Sequence, residues 1–373
     1  MKVLVAGDYC PQYRVSGLFN KGDYSIVLGD IKQYTSSADY SIVNFECPVT
    51  KGNETPILKN GPSLCCSTRG VEALKWAGFD CVTLANNHFL DYGEDGVNNT
   101  VQACNGLLID VVGGGVNLQK AADVLYKHIG GKTLAVINCC ENEFSIATKN
   151  TGGANPLNPI QQFYAITEAR KIADYVMVIV HGGHEMYQLP SPRMQELYRF
   201  FINVGADVVI NHHQHCFSGY EIYKGKPIFY GLGNFCFDEM GSTGGLWNEG
   251  YFVILTFDEV ISFSIHPYNQ CDKEPRVAML PLSAFDERIK VLNRAINNSE
   301  ALAEKVKEYF DSCYRQSSYI FEPFMNKVYT SLRYRGIMPS LVSKKRKVLA
   351  IDFIGCESHR DRILAYLDSY KKK

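Results

Sequence analysis

The chain has 373 residues, 46% hydrophobic and 21% charged, which allows one large or two modest folded domains and excludes a disordered polymer. Lys plus Arg number 38 against 39 for Asp plus Glu, so a formal charge of -1 lacks the basic excess of a nucleic-acid or anionic-membrane binder. No apolar run approaches the ~20 residues of a membrane span, and 13 cysteines, with no export signal and no Cys-x-x-Cys, point to reduced thiols in a cytoplasmic protein.

In chain order, residues 2–6 read as a first strand that ends in Gly7-Asp8, and 40–45 as a second that ends in Glu46. Residues 67–77 carry a helix pattern stopped by Gly78, and strand 81–85 then runs into Asn86-Asn87-His88. A further helix with Val97, Val101 and Cys104 on one face stops at Gly106 and leads to strand 107–112. Continuous apolar runs at 133–138 and 175–180 suit strands covered on both faces, and the second ends in His181-Gly182-Gly183. Ser191 is expected to cap a helix that has Pro192 at its first position and Met194, Leu197, Tyr198 and Phe201 inward. Strand 207–210 follows, then Asn211-His212-His213-Gln214-His215. Two β-type segments, 250–257 and 261–266, close an α/β portion assigned to residues 1–269. Residues 270–373 read as a mostly helical C-terminal extension, with a helix near 299–311, a basic segment at 343–347 and a Lys371–Lys373 tail. Loops 141–159 and 240–249, rich in Gly, Asn and Pro, are placed to shape a substrate mouth.

The chemistry-bearing residues gather at one place in this pattern. Five strands deliver Asp8, Glu46, Asn87 with His88, His181, and His213 with His215 just past their C-terminal ends, the edge at which open α/β sheets bind ligands. Of nine histidines, six (His88, His181, His184, His212, His213 and His215) fall in these turns. Any one of them is ordinary in a turn, but their joint placement is that of a metal site. In extended backbone His213 and His215 would point the same way. Two carboxylates, one amide oxygen and three imidazoles form a mixed N/O set suited to Mn, Fe, Zn or Co. The set exceeds what one tetrahedral zinc needs, so two divalent metal ions bridged by a carboxylate are expected. Gly130-Gly131-Lys132-Thr133 is not a phosphate loop, because Tyr126 stands where the first Gly is needed and a strand follows.

Gly7-Asp8, Asn44-Phe45-Glu46-Cys47-Pro48, Ala85-Asn86-Asn87-His88 with Asp91-Tyr92-Gly93, His181-Gly182-Gly183-His184-Glu185, His212-His213-Gln214-His215 and Gly231-Leu232-Gly233-Asn234-Phe235 occur in that order. The set resembles the bacterial capsule synthesis protein CapA family, linked to poly-γ-glutamate capsules and itself similar to calcineurin-like metallophosphoesterases, over residues 2–238. The resemblance implies a metallophosphoesterase-like layered α/β sandwich. It implies that Asp8, Glu46 (bridging), Asn87, His181, His213 and His215 hold the metals and that His88 protonates the leaving group. Glu185 is expected to share in proton transfer, and Asn44, His184, His212 and Asn234 to contact substrate. Cys10 stands where the phosphoesterases have a His ligand, which leaves one metal with fewer ligands. The implied activity is metal-assisted hydrolysis of a small-molecule or polymer-linked phosphoester, such as a phosphorylated sugar in surface-polysaccharide synthesis. The alternatives are a γ-glutamyl amide hydrolase using the same metals and a non-catalytic accessory protein of polymer assembly.

Overall fold

The computed structural model describes residues 1–313, 332, 335, 337 and 343–371. Most of 314–342 within the expected extension, and 372–373 of the basic tail, lie outside the described residues.

The strands in chain order are β1 (Lys2–Cys10), β2 (Tyr40–Phe45), β3 (Cys81–Thr83), β4 (Asp110–Val112), β5 (Gly114–Gly115), β6 (Leu125–Ile129), β7 (Lys132–Cys140) and β8 (Gly153–Ala154). They continue with β9 (Tyr175–His181), β10 (Val208–His212), β11 (Tyr220–Tyr223), β12 (Lys226–Phe229), β13 (Asn234–Phe237), β14 (Glu249–Thr256), β15 (Ser262–Gln270) and β16 (Val277–Met279). The helices are α1 (Tyr13–Lys21), α2 (Tyr24–Leu28), α3 (Lys32–Thr35), α4 (Thr68–Ala77), α5 (Gly93–Gly106), α6 (Leu118–Ala121), α7 (Pro159–Ile172), α8 (Pro192–Val204), α9 (Asp286–Ile296) and α10 (Ser299–Ser312). Beyond the masked stretch come α11 (Lys344–Gly355) and α12 (Glu357–Lys371).

The strands form two large sheets where the chain-order pattern alone suggests one. The first runs β16-β15-β14-β1-β2-β3-β4, with β13 also on β1; the second runs β11-β12-β10-β9-β7-β6. They pack face to face through Val3, Val5 and Ile42 on one side and Val136, Ile179 and Ile210 on the other. Helices α1, α4 and α5 cover the outer face of the first sheet through Phe19, Leu74 and Val97. Helices α7 to α10 cover the second through Ile166, Tyr198, Ile296 and Val306. The result is a four-layer α/β/β/α sandwich. Strands β7 and β9 read as unbroken apolar runs because one face meets the other sheet and the opposite face meets helices.

Local chemistry sets several boundaries. The Ser191 hydroxyl accepts from Met194 N–H at 3.3 Å with Pro192 behind it, so α8 starts where the sequence places it. A side chain at Gly7 would meet the Gly233 carbonyl oxygen at 1.8 Å. With none there, Asp8 N–H donates to that carbonyl at 3.1 Å, and β1 exchanges β14 for β13 as neighbour at this point. The first sheet continues through β15 to β16 at Met279, past the boundary expected near 269.

Helices α11 and α12 close on each other around Phe353 and Ile363 and are pinned to the sandwich by a polar clamp. Arg193 on α8 donates to Glu141 Oε1 (2.7 Å), Asp361 Oδ2 (2.7 Å) and Ser358 Oγ (3.1 Å). Glu141 Oε2 in turn accepts the Ser358 backbone N–H in the first turn of α12. No helix among the described residues is long and apolar enough to cross a membrane.

Candidate metal centre

The parallel strands of both sheets open their C-terminal ends at a common rim, and the expected ligands converge there. Asp8 lies on β1, Glu46 directly follows β2, Asn87 and His88 follow β3, and His181 is the last residue of β9. His212 ends β10, and all of these side chains are buried. His213 and His215 arrive by a different route from the extended backbone expected. Strand β10 stops at His212, and the two residues take φ of 88° and 54°. A left-handed turn, strained for side chains of this kind, carries both rings into the cluster.

Two ligand groups share Glu46. In one, His181 Nε2 lies 3.0 Å from Asn87 Oδ1, 3.1 Å from His213 Nδ1 and 3.5 Å from Glu46 Oε1. In the other, His215 Nε2 lies 3.6 Å from Glu46 Oε1, and His215 Nδ1 lies 3.7 Å from Asp8 Oδ2. Ligand atoms held at ~2.1 Å around one tetrahedral cation sit about 3.4 Å apart, which the first group matches; in the second, one ligand atom each of Asp8, Glu46 and His215 lie within 4.8 Å of one another. Both carboxylate oxygens of Glu46 are buried without a hydrogen-bond partner. A buried, unpartnered carboxylate costs several kcal/mol unless a cation offsets it.

The local charge balance runs the same way. Burial, helped by Glu46, pushes Asp8 up to about 6, and burial likewise raises Glu46. Burial holds His181 and His213 well below their ordinary value, leaving neutral rings with a lone pair to offer. Burial would also lower His215, but the carboxylates of Glu46, Asp8 and Glu185 outweigh it and hold the imidazolium up to about 9. One imidazolium, that of His215, thus faces the carboxylates of Glu46, Asp8 and Glu185, so the pocket keeps an acidic excess and its donor set fits divalent cations.

Neighbouring side chains fix the ligands. The Trp247 carbonyl accepts from Asn234 Nδ2 at 3.1 Å, which turns Asn234 Oδ1 to His215 Nδ1 at 2.8 Å. That contact keeps a proton on His215 Nδ1, so Nε2, on the Glu46 side, is the nitrogen that would give up its proton to take a cation. Thr83 donates to Asn44 Oδ1 at 2.9 Å, and Asn44 Nδ2 donates to Asp8 Oδ1 at 2.7 Å. Asn44 and Asn234, expected to contact substrate, are fully buried and bond to Asp8 and His215. His212 is likewise buried, with Nδ1 3.4 Å from Asp8 Oδ1. His184 does not join the cluster. Its ring packs on Tyr309 and Phe310 of α10, and burial pushes it down to about 3, so the substrate contact expected of it gives way to aromatic packing. Cys10 bonds to the Cys47 thiol, and burial raises it to about 11.

His88 lines the mouth of the site. His88 Nδ1 lies 2.7 Å from Asp91 Oδ2 and 2.9 Å from Lys59 Nζ, and Nε2 is the ring nitrogen left free of both. Lys59 pairs with the other Asp91 oxygen at 2.5 Å. Lys59 carries no local signal in the sequence, and Asp91 stands there only within a motif, although its three-residue offset from His88 is visible. Glu185 sits exposed at the same mouth, its carboxylate grouped within 4.8 Å with ring nitrogens of His213 and His215. The mouth opens into a cavity of about 450 Å³ whose far wall includes Phe353, His359 and Arg362 from α11 and α12. Loop 141–159 contributes Glu143 and Phe144 to it, while Trp247 of loop 240–249 packs on the His215 ring at 4.9 Å.

The family described as bacterial capsule synthesis protein PGA_cap matches residues 2–239. The chain is 32% identical over 247 residues to the capsule biosynthesis protein CapA of Bacillus anthracis, a match covering 64% of this chain and 60% of that protein. It is 35% identical over 206 residues to the PGA biosynthesis protein CapA of Bacillus subtilis, covering 54% of each. The matched stretch thus spans little more than half the length of these relatives. Among solved structures, a 5'-nucleotidase precursor from Thermus thermophilus aligns with 78% of this chain and 57% of its own, at 12% identity and a TM-score of 0.46.

Proposed function

We propose a function from one premise: the chain belongs to the bacterial capsule synthesis protein family, whose match covers residues 2–239. It is a metal-dependent hydrolase, specifically a phosphoesterase acting on a phosphorylated sugar or related metabolite of surface-polymer synthesis. The observation that carries the reading is Glu46, buried with both oxygens unpartnered where two ligand groups meet. Asn87, His181 and His213 would hold one divalent ion with Glu46, and Asp8 and His215 would hold a second with it. Divalent cations at such a site supply Lewis-acid polarisation of a phosphoryl oxygen and acidify water towards a pKa of ~7.

The chain's own residues perform the rest. As the phosphorus–oxygen bond to the leaving group breaks, His88 gives a proton from Nε2 to the departing oxygen, and Asp91 beside Nδ1 holds the ring in place. Lys59 holds Asp91 in place from the other side. Asn44 and Asn234 fix the rotamers of Asp8 and His215. Glu185, at the mouth beside His213 and His215, is placed to exchange protons with solvent.

A second reading, hydrolysis of a γ-glutamyl amide at the same centre, is favoured by the name of the Bacillus subtilis relative, a PGA biosynthesis protein. The two separate in one assay series. Purified chain is analysed for bound metal, then offered p-nitrophenyl phosphate, bis-p-nitrophenyl phosphate and γ-glutamyl-p-nitroanilide with Mn, Co, Zn and Fe. Phosphoester turnover that His88→Ala removes while metal content persists supports the phosphoesterase. Anilide turnover alone selects the amide reading, and a chain that takes up no metal overturns both in favour of an accessory role.

A further inference from the structure

The cavity above the metal centre has a floor and a wall of different origin. Asn87 and His88 form the floor, inside the stretch that matches the family. Leu349, Asp352, Phe353, His359 and Arg362 form the wall, more than one hundred residues beyond that stretch.

Charge is distributed unevenly on the wall and the rim. Each carboxylate that lines the cavity has an imidazole neighbour, of which the His213 ring is neutral. Glu143 Oε1 is 3.7 Å from His213 Nε2, Asp352 Oδ2 is 3.2 Å from His359 Nδ1, and Glu185 groups with His213 and His215. On the cationic side, Lys59 is committed to Asp91. Arg362 has no such counterpart. No carboxylate of the described residues pairs with it, and its Nε is buried without a hydrogen-bond partner. Its guanidinium lies over the Phe353 ring, 5.6 Å from the centroid, while the His359 ring stacks on the same residue at 5.0 Å. A planar cation braced on an aromatic face, with its donors unspent, is built to take a carboxylate or phosphate in a fork.

The clamp keeps this wall in register with the floor. Arg193, Glu141, Ser358 and Asp361 join the first turns of α12 to α8 and to the end of β7. Asn142 adds two bonds to the Glu357 carboxylate, at 2.9 and 2.6 Å. Arg362 sits one turn further along the same helix, so its position is set by the anchored end.

We propose that Arg362 is the specificity residue of this cavity: it binds a second anionic group of the substrate, remote from the group at the metal floor. The inference rests on the proposed hydrolytic site and narrows its substrate class to molecules that carry a carboxylate or phosphate besides the reacting phosphoester. A monoanionic phosphoester would leave Arg362 unpaired and would bind less well.

The test compares 3-phosphoglycerate, which has a carboxylate besides its phosphate, with glycerol 3-phosphate, which lacks it. Both are titrated calorimetrically into the metal-loaded full chain, and the readout is the ratio of their affinities. The ratio cancels any change in metal content or folding common to both ligands. Wild type should favour 3-phosphoglycerate by about tenfold, Arg362→Gln should bring the ratio near one, and Arg362→Lys, which keeps the charge and loses the fork, should keep part of the preference. A wild type without preference, a preference that survives in Arg362→Gln, or equal loss in Arg362→Gln and Arg362→Lys would each overturn the assignment. Because binding is read and turnover is not, a chain that fails to hydrolyse phosphoesters refutes the proposed reaction and leaves this result to stand on its own.

Discussion

The floor and the wall of the cavity are held by different physics. Floor ligands project from the ends of β1, β2, β9 and β10, central strands buried on both faces, so their positions are fixed by the sandwich itself. The wall is a helix pair with a small apolar contact around Phe353 and Ile363, and it is registered to the sandwich through the polar clamp at Arg193. A rigid floor suits chemistry, where ligand spacing of a few tenths of an ångström matters. A wall carried on a separable element suits selectivity, because it can be replaced without disturbing the metal ligands. The family match ends between the two.

The largest effect should come from the residue on which the floor converges. Glu46→Gln is expected to lower affinity for the first-bound divalent ion by at least about 100-fold, measured by titration with Mn. Its effect on the metal-free chain should have the opposite sign. Replacing a buried, unpartnered carboxylate by a neutral amide removes a desolvation cost, so the melting temperature should hold or rise, by the equivalent of ~1–2 kcal/mol. Loss of metal-free stability would mean that Glu46 is satisfied within the protein and that the floor is no metal site. Next in size, His88→Ala should lower kcat for the phosphoester by about 10²–10⁴-fold with metal content unchanged, and Asp91→Asn should give a partial version of that loss.

Much of the floor was readable from the chain because each ligand follows a short apolar run, and the end of such a run is the rim of a sheet. Asp8, Glu46, Asn87, His181, His213 and His215 were reachable by that logic alone. The division into two sheets was not, since the face-to-face packing of β1 and β2 on β9 and β10 depends on long-range contacts that no local period encodes. The roles of Asn44 and Asn234 were also out of reach. A turn Asn looks the same in sequence whether it meets substrate or braces a ligand, and only the Thr83 and Trp247 contacts decide. His184 shows the converse, a histidine in the right motif whose ring is taken by Tyr309 and Phe310, far along the chain. Arg362 had no local signal, because what marks it is that no carboxylate of the described residues meets it in three dimensions.

Removing the clamp tests the wall. Arg193→Ala leaves Glu141 buried without its cation, a loss of about 3–5 kcal/mol that should fall on the docking of α11 and α12 more than on the sandwich. Hydrogen exchange in 344–371 should speed up strongly while the amides of β9 and β10 stay protected. Equal loss across both regions would mean that wall and floor fold as one cooperative unit, and the contrast drawn between them would fail.

The smallest expected effect is one of pH, and its sign follows from Glu141. Burial would raise this carboxyl, but Arg193 and the Ser358 N–H outweigh it and hold the group down to about 2, against an ordinary value of 4.5. A carboxyl depressed in the folded state contributes stability that is fully present above the unfolded value and lost as pH falls through the folded one. The clamp should therefore be at full strength above about pH 4.5 and weaken from there towards pH 2, by at most about 3 kcal/mol. Asp361, which burial raises, works in the opposite sense and reduces the net change. Exchange in 344–371 relative to β9 and β10, followed from pH 6 down to pH 3, should show the wall loosening before the sandwich. In Glu141→Gln the wall should already be loose at pH 6 and should respond no further to acid. If that variant still loosens between pH 4.5 and 3, another carboxylate holds the wall and Glu141 is not its anchor.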